Sequence, residues 1–171
     1  SSADQDCHKM GIQQLLAAGG GEKHLVFRTS ASDSTTQTTY TFSAQDIGPA
    51  GADRRVIVAV HSADNGNSRT ISSVTIGGVT ATVVTITGAS TTISGMYIAL
   101  VPTGTTADVV VVLGAASENA AVGVWSCTGL LSSTPVDTNT SAADPATATL
   151  TTVYGGFCVS AVSGFGGASV A

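Results

Sequence analysis

The chain has 171 residues, of which 43% are hydrophobic and only 10% charged, and its formal net charge is −5. That length suffices for one buried core, and the composition excludes charge-driven disorder and, with Leu, Glu and Lys scarce, a coiled coil. There are six Lys and Arg in all and none beyond Arg69, which leaves too few cations to hold a phosphate backbone or an anionic membrane surface.

Residues 1–28 differ from the rest. Both lysines, Lys9 and Lys23, fall here. Met10, Ile12, Leu15 and Leu16 lie at mixed helical spacing, and Gly19-Gly20-Gly21 supplies a stop with glycine at the left-handed cap. The pattern predicts a short helix. Such a helix is marginal by itself, so residues 1–28 are expected to form an arm, docked on its own domain or on a neighbouring subunit. Cys7-His8 has no C-x-x-C partner spacing and predicts no metal site.

Residues 29–171 are expected to form one β domain. Residues 29–43 read as a polar loop running into a strand at Tyr40 and Phe42, and Gln45–Asp53, with Gly48-Pro49 and Gly51, reads as a loop. Arg54–His61 is apolar on both faces, as in a central strand covered on both sides. Arg54 and Arg55 must point to opposite faces and are expected to form a solvated strand entry.

Asp64-Asn65-Gly66-Asn67 predicts a turn. As a calcium loop it fails, because Gly66 at the third position has no side-chain oxygen and Thr75 stands at the twelfth. Ile71–Ile76, Gly77-Gly78 and Val79–Ile86 give the best hairpin signal, two glycines between β-branched runs. Further strands are expected over Gly95–Val101, which Pro102 ends, and over Asp108–Leu113, Ala120–Cys127 and Phe157–Ser163. Ser132–Pro145 reads as loop, and Ala148–Val153 alternates weakly. Predicted core positions include Val58, Val60, Ile76, Ile98, Leu100, Val111, Val124 and Trp125.

Eight or nine short strands with no helical pattern between them predict an all-β fold. The expected form is an antiparallel β-sandwich, jelly-roll or immunoglobulin-like, with the helical arm in front. No apolar run is long enough to span a bilayer as a helix, so no membrane insertion is expected.

Chemistry-bearing patterns are sparse. No G-x-S-x-G elbow is present, and His24 and His61 have no spaced partners. Glu22 and Glu118 are the two glutamates, and nothing pairs Glu118 with an aspartate as a glycosidase requires. Trp125, Tyr97, Tyr154 and Phe157 are candidates for a sugar-stacking platform, with core packing the better reading. Cys127 and Cys158 fall in predicted strands and read as buried, reduced thiols. The expectation is a non-enzymatic chain with no catalytic, cofactor or metal residues.

One resemblance bears on role. It is carried by DRRVIVAVHSAD (53–64), ISSVTIGGVTAT (71–82), MYIALVPTGTTADVVVVL (96–113), AAVGVWSCTGL (120–130) and TPVDT (134–138). In this order they resemble a β-rich domain that recurs in head-surface, tail and fibre proteins of tailed bacteriophages, over residues about 53–137. The resemblance implies a structural component of the virion, a head decoration or tail appendage with other virion proteins as partners and no catalytic residues. The alternative is a carbohydrate- or receptor-binding adhesin module with a host-surface glycan as ligand. A surface of Thr, Ser, Ala and Gly is poorly defended against edge pairing, which suits a homo-oligomer or a larger assembly. Ala168-Ser169-Val170-Ala171 resembles the opening of a further strand, placing both chain ends at the expected contacts.

Overall fold

The computed structural model describes residues 22–64, 66, 69–89, 91–130, 132–141, 147–153 and 156–161. The predicted helix, Cys7-His8 and residues 168–171 lie outside them. Among the described residues the chain is all-β. In order, the strands are β1 (His24–Asp33), β2 (Gln37–Asp46), β3 (Arg55–Ala63), β4 (Ile71–Ile76), β5 (Val79–Thr80), β6 (Thr82–Ala89), β7 (Thr92–Leu100), β8 (Thr106–Ser117) and β9 (Asn119–Thr128).

The strands form two antiparallel sheets, β1-β9-β3-β7-β6 and β2-β8-β4-β5. Four of the pairings are nested. β4 pairs with β5, β3 with β7, β2 with β8 and β1 with β9, as in one long hairpin rolled up about its tip. The tip is the Gly77-Gly78 turn, where both glycines have positive φ, 58° and 79°, and Ile76 faces Val79. Left-handed backbone at both central positions is what a two-residue turn between twisted strands requires, and glycine adopts it without a Cβ clash. β6 stands outside the nesting and pairs with β7 alone among the described residues.

The sheets enclose one apolar core. Val56, Val58 and Val60 of β3 meet Val74 and Ile76 of β4 and Val109, Val111 and Leu113 of β8, with Tyr40, Phe42 and Ile47 closing one side. The opposite face of β3 carries Ile57 and Ala59, which pack with Ile98, Trp125 and Cys127 under Leu130, Phe157 and Val159. β3 is therefore covered on both faces, as its double apolar pattern predicts.

Several expectations need correction. β1 begins at His24, inside the stretch expected to be arm, and the polar run 29–43 holds the end of β1 and most of β2. These strands lie at sheet edges with one face solvated, where Ser and Thr are ordinary strand residues. Val79–Ile86 is two strands, because the chain passes from one sheet to the other at Ala81. Residues 157–161 are not a strand, and Phe157 and Val159 instead lie as irregular chain on the outer apolar cluster. Leu100 is 45% exposed at the end of β7, whereas the other seven predicted core residues are buried.

Candidate functional site

The inner face of β3 continues at each end into a polar residue. Arg54 precedes Val56, Val58 and Val60, and Ser62 follows them. Arg54 is 1% exposed, so the expected solvated strand entry is wrong for it. Its Nε donates to the Val101 carbonyl at 2.8 Å and its Nη2 to that of Thr103 at 2.7 Å. Its Nη1 donates to the carbonyls of Gly48, Pro49 and Gly104 at 2.6, 2.8 and 2.8 Å.

These acceptors lie in the β2–β3 and β7–β8 connections, both of which cross between the sheets. Arg54 thus clasps two crossings. Five N–H donors in a rigid fork suit this role, and a lysine has three on a single atom. Desolvation, with a smaller push from Arg28, lowers the guanidinium pKa. Gly48, at φ 74°, lies against Arg28, whose guanidinium would overlap a Cβ there. Arg55 points the other way, donating to Ser133 Oγ at 2.8 Å and to the Leu130 carbonyl at 2.9 Å. The pair does not converge on an anion site.

At the other end, Ser62 Oγ donates to Ser117 Oγ at 2.8 Å, joining β3 of one sheet to β8 of the other. Ser117 Oγ donates to the Ala63 carbonyl at 2.9 Å, and the Tyr40 hydroxyl donates to the Ser117 carbonyl at 2.5 Å, with the Thr35 carbonyl at 3.0 Å. Asp64 Oδ2 accepts from Arg69 Nη2 at 2.7 Å, so the predicted turn begins with an ion-paired carboxylate.

On the outer face, His61 Nδ1 lies 3.0 Å from Ser94 Oγ. This is the contact a base makes with a hydroxyl nucleophile, but a catalytic set needs a third group that orients the imidazole. His61 Nε2 is buried without a hydrogen-bond partner among the described residues. Burial lowers the imidazole pKa, which keeps the ring neutral. Glu118 is exposed at the β8–β9 turn, and His24 lies 3.4 Å from Glu22 on the surface.

Among the described residues the candidate sugar platform is divided between the two faces of its sheet. Trp125 is in the outer cluster, edge-on to Phe27 at 5.3 Å, and Phe157 packs nearby. Tyr97 is in the inner core, where burial pushes its hydroxyl up to about 12. Tyr154 is outside the described residues. Cys127 and Cys158 are free thiols; Cys127 is buried, while Cys158 is exposed, against expectation.

Sequence reasoning missed the clasp and the Ser62–Ser117 bridge. The signal was the period-two pattern itself, which places Arg54 and Ser62 on the face of Val56, Val58 and Val60. No protein-family model and no curated protein matches the chain.

Proposed function

We propose that the chain is a non-enzymatic structural component of a tailed bacteriophage virion, displayed on the particle as a head decoration or tail appendage. The resemblance over residues 53–137 carries this reading, and that stretch spans β3 to β9. We further read the sandwich as a jelly roll rather than an immunoglobulin-like fold. The support is the rolled-hairpin order, β1-β9-β3-β7 against β2-β8-β4-β5, with β6 appended. A jelly roll is built from eight strands in two Greek keys and recurs in viral capsid and lectin domains.

The disposition of polar groups favours a building block. Arg54 is bonded to backbone carbonyls, and Ser62 to Ser117, so these buried polar side chains fasten the sheets together. The residues ahead of β1, expected to form a helical arm, would serve as the tether to other virion proteins.

The test is immunogold labelling of intact, purified particles with antibody to this chain, together with peptide mass spectrometry of the same particles. The expected result is surface labelling at regular positions and recovery of the chain at fixed stoichiometry. Absence from the particles would refute the proposal. Specific binding on a glycan array by the isolated chain would favour the adhesin alternative.

A further inference from the structure

The sandwich exposes four sheet edges among its described strands, and they are not alike. β1 carries His24, Arg28 and Asp33, and its register with β9 breaks between Phe27 and Thr29. β2 carries Asp46 and breaks register with β8 twice. β5 is two residues long. Charges, bulges and brevity are the means by which natural edges avoid pairing with other chains.

β6 lacks charge and brevity. It has eight residues, TVVTITGA, and lies within an uncharged stretch: from Thr70 to Ala107 the chain holds no Asp, Glu, Lys, Arg or His. Its one irregularity falls between Val83 and Thr85, after which Thr85–Ala89 pair regularly with β7. Val84 there packs on the outer cluster, leaving the rest of the strand in plain register.

β6 also overhangs. The four-stranded sheet ends in the short β5, so the inner face of β6 extends past its cover. Ile86 and Val83 share that face, since they pair with Gly95 and with the inner-core residue Tyr97. Val83 is 51% and Ile86 41% exposed, and Val79 of β5 is 40% exposed.

We propose that β6 pairs antiparallel with β6 of a second copy of this chain, about a two-fold axis, joining two five-stranded sheets into one. Three observations select a second copy. A strand paired with a copy of itself doubles every charge it carries within one short ladder, and β6 carries none. A two-fold axis turns one overhang to face the other, placing Val83 and Ile86 of both copies on the same side of the joined sheet. The rest of the chain carries the net charge of −5, so the uncharged stretch is where two copies approach with least repulsion. The inference is independent of the virion assignment.

The test uses the full chain in analytical ultracentrifugation, with Thr87→Lys and Thr87→Glu made separately. Thr87 is exposed, and Thr85→Lys serves as a second probe should Thr87→Lys lose its β-sheet circular dichroism. The wild-type chain is expected to sediment as a dimer and each charged variant as a monomer that keeps the β-sheet circular dichroism of the wild type. An equimolar mixture of the Lys and Glu variants should recover the dimer. A monomeric wild-type chain, or charged variants that keep the wild-type mass, would overturn the proposal. A mixture that stays monomeric would overturn self-pairing.

Discussion

Arg54 and Ser62 stand at opposite ends of one face of β3, and both fasten parts of the chain that belong to different sheets. Arg54 holds the two crossings that carry Gly48 and Thr103, and Ser62 bridges to Ser117. Between them lie Val56, Val58 and Val60, all buried. The core is therefore closed at both ends by hydrogen-bonded polar side chains.

Arg54→Met should destabilise the fold by about 3 kcal/mol or more, because it leaves several buried carbonyls without donors. Arg54→Lys should recover only part of that loss, since one ammonium cannot reach acceptors spread over two loops. Urea unfolding of the three proteins measures both effects. An Arg54→Met variant as stable as the parent would contradict the clasp.

His61 predicts a pH dependence. Its folded pKa is held below the ordinary 6.5 by burial, so the unfolded chain binds the proton more readily. The stability that follows is fully present above pH 6.5 and is lost as the pH falls from there toward the folded pKa. Urea unfolding between about pH 7 and pH 5 should show this decline, and His61→Gln should flatten it. Equal slopes in both proteins would assign the decline to other groups.

The two described thiols should differ in reactivity. Cys158 is exposed, whereas burial raises the Cys127 thiol to about 11. Iodoacetamide followed by peptide mass spectrometry should modify Cys158 in the native protein and Cys127 only on unfolding. Phe157→Ala should loosen the cover over Trp125 and Cys127, at about 1–2 kcal/mol, and make Cys127 reactive in the native state. Trp125 emission should shift to the red in the same variant. Unchanged protection of Cys127 would show that Phe157 is not part of its cover.

Ala44 has φ 51° within the register break of β2, where its N–H donates to Asp108 Oδ1 at 2.8 Å. An L-residue in that conformation is strained by about 1–2 kcal/mol. Ala44→Gly should therefore raise stability, by about 1 kcal/mol once glycine's greater unfolded freedom is counted. A lower melting temperature for this variant would contradict it.

The strands most legible in the sequence were those buried on both faces or bounded by glycine pairs. β3 shows both apolar faces, and Gly77-Gly78 marks the tip about which the hairpin rolls. β1 was hidden because its second half, Thr-Ser-Ala-Ser-Asp, has the composition of a loop, and its partner β9 is remote in sequence. The division of Val79–Ile86 was hidden because β-branched residues suit both sheets, and nothing local at Ala81 marks the crossing. Arg54 was misjudged for a further reason. A charged residue is ordinarily solvated, and its acceptors are carbonyls that carry no side-chain signature. Phe157–Ser163 looked like a strand because an apolar run that covers an outer cluster has the same pattern.

The proposed role places this chain on the outside of a tailed phage particle. A cryo-electron microscopy map of the particle from which the chain derives, at a resolution that separates strands, tests it most directly. The expected result is surface density that fits β1–β9 in their two-sheet order, with Trp125 and Phe27 edge-on beneath the chain that carries Phe157. A complete map of head and tail in which no surface density fits these nine strands would contradict it.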